Sequence, residues 1–187
     1  WMNRQLFYGA YTRLSGYFTN SDFEAKGLPG PDEMALLEPL RRQLQPQVFT
    51  EAVPASPSTA PPGSLRANLR QARDLLAQAG WTYRDGALRN ARGEPFTIEF
   101  LDNSGGMGRV ITPYIATLGK LGIQASYRVI DFALYEKRIK AFEFEMISSR
   151  VMGSTVPGSE LRLHFDSHAA ATPGSSRPRA QEMRLPC

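Results

Sequence analysis

The sequence predicts an α/β fold in which a βαβαβ unit follows an N-terminal helical segment. Two short runs alternate apolar and polar residues with the period of a half-buried strand, Phe96 to Leu101 and Gln124 to Ile130. A helical pattern separates these runs, and glycines stand where helices should end, at Gly80 and Gly122. Because the joins are short, strand, helix and strand should form a parallel crossover.

Residues 1–50 are predicted to form the helical segment. Between Asn3 and Phe18, aromatic and apolar residues recur at helical spacing and predict one buried stripe: Phe7, Tyr11, Leu14 and Phe18. Pro31 begins a second helix, because proline suits the first helical position and acidic residues follow it at the positive end of the helix dipole. Pro39 should kink this helix, since proline removes one backbone hydrogen bond.

Residues 51–63 are predicted to be a connector, because EAVPASPSTAPPG holds four prolines among small polar residues. Ser64 can cap the next helix, and Gly80 suits its left-handed C-terminal cap. One face of that helix carries its apolar residues: Leu65, Leu69, Ala72, Leu76 and Ala79. This segment opens the α/β lobe, which the sequence places at residues 64–176.

The remaining elements complete the predicted βαβαβ unit. Asp85 and Gly86 indicate a turn, and the glycine-rich loop SGGMG separates the first strand of the unit from a helix. The inward face of this helix is expected to carry Val110, Ile111, Tyr114, Ile115, Leu118 and Leu121. Asp131 can cap a second helix bearing Leu134, Tyr135, Ile139 and Phe142, and residues 144–149 return as a strand.

Composition and charge narrow the function. The 187 residues are 42% apolar, which suffices for a buried core, and no apolar run is long enough to span a membrane. The net charge of +4 comes mostly from dispersed arginines and indicates an ordinary basic surface, so no nucleic-acid partner is predicted. The only cysteine, Cys187, excludes an internal disulfide.

Few residues suggest chemistry, and neither catalysis nor a cofactor is predicted. The loop from Ser104 to Gly108 precedes a helix N-terminus and could bind an anion, which leaves a small α/β enzyme or an interaction module as alternatives. His164 and His168 have the spacing of zinc ligands but lack the glutamate of hydrolytic sites, so a surface pair is preferred. The carboxylates of Glu143 and Glu145 are expected to point into solvent.

An ordered series of motifs resembles the extracellular solute-binding proteins of the oligopeptide-binding type, family 5, in their YejA-type branch. The motifs are NRQLFYGAYTRLSGYFTNSDFEAKGLPGPDEMALLEPLR, SLRANLRQARDLLAQAGW, GEPFTIEFL, RVITPYIATLGKLGI and YRVIDFALYEKRIKAFEFEM, and the resemblance extends to Ser176. It implies the second, C-terminal lobe of a bilobal periplasmic binding protein. Residues 177–187 depart from the family pattern and are left out of the fold, and the chain is interpreted as an incomplete polypeptide.

The resemblance also implies a function. Such proteins close two lobes over an oligopeptide or peptide-like ligand in the periplasm and present it to the permease of an ABC importer. The missing first lobe is then a partner of this chain. Related binders use an aspartate from the loop after the last matched strand to pair with the free amino group of the ligand. This sequence has no aspartate between Arg150 and Glu160. Its nearest candidates for ligand contact are Ser148, Arg150, Ser154 and Glu160.

Overall fold

The computed structural model describes residues 2–52, 56–150 and 155–166. Their contacts form two compact units. The first contains described residues within 2–11, 58–150 and 161–166, and the second contains those within 12–52, 56–57 and 155–160. The predicted division into a helical segment, a connector, a lobe and a tail stays a prediction.

Seven α-helices and five strands occur in the described residues. The helices are α1 (Met2–Phe7), α2 (Pro31–Leu37), α3 (Gln47–Thr50), α4 (Leu65–Gln78), α5 (Gly108–Gly119), α6 (Phe132–Lys140) and α7 (Glu160–Phe165). The strands are β1 (Thr82–Arg84), β2 (Ala87–Arg89), β3 (Thr97–Asp102), β4 (Gln124–Val129) and β5 (Met146–Ile147). No helix among these residues is long and apolar enough to cross a membrane.

The predicted βαβαβ unit is confirmed as β3-α5-β4-α6-β5. Its three strands form a parallel sheet in the order β4-β3-β5, in which Phe100 pairs with Tyr127 on one side and Met146 on the other. The antiparallel pair β1-β2 forms a separate hairpin around the predicted turn, where Asp85 and Gly86 both have positive φ angles of 50° and 77°.

The helices α5 and α6 cover opposite faces of the sheet. Neighbouring residues of a strand point to opposite faces, and the Phe100 ring meets Tyr114 of α5 whereas Glu99 pairs with Arg138 of α6. The main core lies on the α5 side and consists of Leu88, Phe100, Ile111, Leu118, Leu121 and Ile123. Leu69, Ala72 and Leu76 of α4 pack against this core, as their shared helix face predicts.

The helix caps form at the residues that the sequence predicts. Ser64 Oγ accepts from the backbone N–H of Ala67, and Asp131 Oδ1 accepts from that of Leu134, so both predicted N-caps are confirmed. Gly80 and Gly122 take left-handed φ angles of 84° and 83° at the predicted helix ends. The carboxylate of Asp131 and the hydroxyl of Ser64 thereby fix where α6 and α4 begin.

The predicted helical stripe between Asn3 and Phe18 does not form. Helix α1 ends at Phe7 because Tyr8 and Gly9 adopt left-handed conformations with φ angles of 52° and 77°. The Asn3 side chain stabilises this turn by donating to the carbonyl of Tyr11 and accepting from its N–H. Tyr11 and Leu14 are consequently 66% and 62% exposed rather than parts of a buried stripe.

In the second unit, α2 begins at Pro31 as predicted, and Glu33 accepts from the N–H of Gly30 at 2.7 Å. Pro39 ends the helix instead of kinking it, because the chain tightens into a 3₁₀ turn over Glu38–Leu40. The short α3 was not predicted. It supplies the buried Phe49, whose ring carries the guanidinium of Arg41 at 4.0 Å.

Candidate functional site

The carboxyl ends of β3 and β4 form the candidate binding edge of the first unit. The chain leaves β3 toward α5 on one face and leaves β4 toward α6 on the other. The strand order β4-β3-β5 reverses at β3, and α/β proteins bind ligands beside such a reversal, at the carboxyl ends of the strands. We call the loop 103–107, the end of β4 with residues 129–132, and Ser148 the carboxyl edge.

Two apolar side chains are exposed at this edge. Val129 ends β4 and is 49% exposed, and Phe132 begins α6 and is 63% exposed. The loop lies close by, since a Cβ on Gly105 would be 4.0 Å from Cγ2 of Val129. The backbone N–H of Ile130 donates to the carbonyl of Asp102 and holds the two strand ends together. Apolar groups beside a polar loop suit a ligand with both kinds of surface.

Asp102 is the one buried charged residue of the described chain, with 8% of its surface exposed. It ends β3, and its carboxylate accepts hydrogen bonds from the N–H groups of Asn103 at 2.7 Å and Ser104 at 3.4 Å. Its other oxygen accepts a short hydrogen bond from the hydroxyl of Tyr127 on β4. A charged group thus joins β3, β4 and the loop 103–107.

Electrostatics keep this pair as carboxylate and phenol. Burial opposes ionisation of Asp102, but hydrogen bonds from Tyr127 and the loop amides outweigh it and lower the pKa of Asp102 below its ordinary value. Burial and the hydrogen bond to Asp102 raise the pKa of Tyr127 to about 12. The carboxylate therefore remains charged at neutral pH.

Sequence reasoning missed Asp102 because the predicted strand ended at Leu101. A usable signal was present, since an acidic residue directly followed an apolar strand and preceded the polar run NSGGMG. Carboxylates in that position commonly bond to nearby backbone N–H groups. Burial of Asp102, in contrast, depends on Tyr127, which is 25 residues away.

The structure places the four predicted contact residues in different surroundings. Ser148 follows Ile147, which pairs with Leu101, so Ser148 lies at the carboxyl edge and is exposed. Arg150 is exposed two residues further on. Glu160 belongs to the second unit, where its carboxylate accepts from the N–H of Gly158 at 3.0 Å. Ser154 lies outside the described residues.

A second group of charges occupies the α6 face of the sheet. Glu99 forms ion pairs with Arg138 at 3.4 Å and Arg128 at 3.5 Å, beside a cleft of about 440 Å³. Glu143 and Glu145 are both exposed, as predicted, and the Glu145 carboxylate also accepts a short hydrogen bond from the N–H of Glu99. Glu145 lies next to Glu99 because Met146, the following residue, pairs with Phe100 of β3.

The second unit has a larger and mostly apolar cleft of about 510 Å³. It is lined by Ala25, Lys26, Gly27, Leu28 and Pro29, by Glu33 and Leu37, and by Gln47, Val48, Glu51 and Ala52. None of the predicted contact residues lines it. Within the described ranges, no group of three or more His, Cys, Asp or Glu residues could hold a metal ion, and His168 lies outside them.

Comparison with known proteins gives the family. Residues 1–172 match the family model of bacterial extracellular solute-binding proteins, family 5 Middle. The chain belongs to this family. The probable peptide-binding protein YejA of Agrobacterium fabrum is 36% identical over 176 residues, which are 94% of this chain and 28% of that protein. The chain thus spans less than a third of the length of that relative.

Two further proteins resemble this chain. An uncharacterized YejA protein of Escherichia coli K12 is 30% identical over 168 residues, covering 89% of this chain and 28% of that protein. A periplasmic oligopeptide-binding protein of an ABC transporter from Thermotoga maritima is 20% identical, with a TM-score of 0.49 over 57% of this chain and 21% of that chain.

Proposed function

We propose that this chain supplies one ligand-embracing lobe of a solute-binding protein that delivers oligopeptides or peptide-like compounds to an ABC importer. The match of residues 1–172 to family 5 carries the proposal. The A. fabrum relative is a probable peptide-binding protein, which supports peptides as the ligand class. The role is binding without catalysis, in the periplasm, with a first lobe and the importer's permease as partners.

The open carboxyl edge supports this proposal from the side of geometry. A closing lobe must offer a surface that is free before the ligand arrives and buried afterwards. Val129 and Phe132 meet the first condition, because about half or more of the surface of each residue is exposed. We propose that they line the ligand together with Ser148 and Arg150, while Ser154 and Glu160 remain candidates from the resemblance.

The Phe132→Ala variant tests whether the carboxyl edge contacts the ligand. The variant is made in a chimaera, the A. fabrum relative in which residues 1–172 of this chain replace the matching segment. Burying a phenylalanine ring against a ligand stabilises the complex by roughly 1.5–3 kcal/mol, so we expect about a tenfold or larger rise in the dissociation constant for peptides. Isothermal titration calorimetry with a peptide mixture, followed by its individual members, measures this change.

Leu75→Ala is the matched control, because Leu75 is a 56% exposed apolar residue on α4. Its peptide affinity should equal that of the parent chimaera. Equal peptide affinities of the parent chimaera and the two variants would show that the carboxyl edge does not contact the ligand. A chimaera that folds and binds sugars or nucleotides but no peptide would refute the proposed ligand class.

A further inference from the structure

The loop 103–107 has the geometry that anion sites use, because it leads from a parallel strand into the N-terminus of the 12-residue helix α5. In such sites, backbone N–H groups converge on a phosphate or carboxylate of the ligand. Here the convergence is already used within the chain. The Asp102 carboxylate accepts from Asn103 and Ser104, and it also interacts with the N–H of Met107.

Other N–H groups of the loop have partners of their own. Ser104 Oγ accepts from Gly106 at 3.3 Å, and the carbonyl of Gly105 accepts from Gly108 at 3.1 Å. Arg109, the cation nearest in sequence, has its guanidinium over the Phe7 ring, 5.6 Å from the ring centre. In the described chain, therefore, most donors expected to receive a ligand anion here are engaged.

Position and burial make Asp102 an internal substitute for such an anion. Tyr127 holds its second oxygen, and a Cβ on Gly108 would lie 3.2 Å from the Tyr127 ring, so the pair is closely packed against the start of α5. A full negative charge at this point more than cancels the half positive charge of the helix N-terminus. A second anion at the loop would meet net repulsion at short range.

We propose that Asp102 is a specificity-determining residue that keeps phosphate and carboxylate groups away from the loop 103–107. Ligand groups that meet this part of the carboxyl edge are then neutral or cationic. The consequence for a transported ligand rests on the proposed function, whereas the exclusion of anions is a property of the chain itself and is tested without any peptide.

Inorganic phosphate is the probe, and the 187-residue chain is the sample. Backbone amide signals of 103–107 are followed by NMR during a phosphate titration of the wild type, Asp102→Ala, Asp102→Asn and Tyr127→Phe. We expect no saturable shift in the wild type. Asp102→Ala should bind phosphate at least about tenfold more tightly, because both the charge and the occupying atoms are gone.

The other variants separate charge from shape. Asp102→Asn removes the charge but keeps an acceptor oxygen near the amides, so its phosphate affinity should lie between those of the wild type and Asp102→Ala. Tyr127→Phe retains the carboxylate and should exclude phosphate as the wild type does. Saturable shifts at 103–107 in the wild type would overturn the proposal.

Unchanged phosphate affinity in both Asp102 variants would overturn it as well. If Asp102→Ala loses its dispersed amide spectrum and is unfolded, Asp102→Asn against the wild type decides. Peptide affinity plays no part in any of these outcomes, so a failure here is distinguishable from a failure of the proposed transport function.

Discussion

Gly122 is the residue whose side chain, a single hydrogen, matters most for packing. It ends the α5 region with a φ angle of 83°, and its carbonyl accepts from the N–H of Leu88 at 2.7 Å. A Cβ at this position would lie 2.6 Å from the Tyr83 ring and 2.8 Å from the Leu88 nitrogen. Glycine is therefore required here both for its conformation and for the close approach of the hairpin.

Gly122→Ala and Gly80→Ala form a matched pair. Both glycines are left-handed helix ends, but a Cβ on Gly80 would meet nothing within 4 Å. We expect Gly80→Ala to lower the free energy of unfolding by about 1 kcal/mol through conformation alone. Gly122→Ala should lower it by roughly 3 kcal/mol, because overpacking is added. Urea unfolding measures both, and equal losses would contradict the close approach at Gly122.

Phe142 illustrates a residue that sequence rules do not place correctly. Phe142 follows α6 with a φ angle of 57°, a conformation that glycine usually provides at a helix end. The N–H groups of Phe142 and Glu143 donate to the carbonyls of Ile139 and Arg138 and so end the helix. Phenylalanine is a poor choice for this conformation when judged locally. Its ring, half-buried near Phe144, offers packing that the local rule does not include.

Among the elements, β3 connects the other two strands of the parallel sheet. It is the central strand, and it pairs with β4 over six residues and with β5 over two. Its alternation was readable in the sequence because each face meets a different environment, the apolar core or the charged cluster around Glu99. Strand β5 is shorter than residues 144–149 predicted, since only Met146 and Ile147 pair with β3.

The bond between β3 and β4 through Asp102 and Tyr127 predicts a pH dependence of stability. Because the folded-state pKa of Tyr127 is raised to about 12 from its ordinary value of 10.0, its contribution is complete below pH 10 and is lost as the pH rises toward 12. Tyr127→Phe should lower stability by about 1–3 kcal/mol at neutral pH. The difference from the wild type should shrink between pH 10 and 12.

Urea unfolding at several alkaline pH values checks this expectation. Tyr83→Phe is the control, since Tyr83 is 60% exposed and the substitution leaves the Asp102–Tyr127 bond intact, so its curve should run parallel to that of the wild type. A Tyr127→Phe curve that also runs parallel to the wild type through pH 12 would show that the bond contributes nothing. Tyr135, whose pKa burial also raises, is present in all three proteins.

For the whole molecule, the decisive fact is that the chain spans 28% of the length of its A. fabrum relative. Ligand pockets in proteins bury most of a ligand's surface, and hinge-closing binders do so with two opposing walls. The carboxyl edge supplies one wall. We therefore expect the 187-residue chain by itself to bind peptides more weakly than micromolar.

Isothermal titration calorimetry of the chain with the peptides selected by the chimaera tests this expectation, and the chimaera is the positive control. Micromolar or tighter binding to the chain alone would mean that a single lobe encloses the ligand. In that case the ligand would have to lie in one of the clefts within a unit, at Glu99 or beside α2, rather than at the open carboxyl edge.

The sequence by itself determined the α/β class, the order of β3, α5, β4, α6 and β5, the N-caps at Ser64 and Asp131, and the family. These depend on local chemistry: side-chain period, capping hydroxyls and carboxylates, and glycine conformation. Local rules failed at the N-terminus, where a regular aromatic spacing was overridden by the turn that Asn3 and Gly9 form.

Only the tertiary structure decided which residues stand together at the carboxyl edge. Strand pairing brings Tyr127 to Asp102 and places Ser148 beside the end of β3, while Val129 and Phe132 remain exposed at the end of β4 and the start of α6. Such groupings arise from contacts between residues far apart in the chain, and no local pattern records them. The burial of the Asp102 charge follows from these contacts, and with it the proposed exclusion of anions.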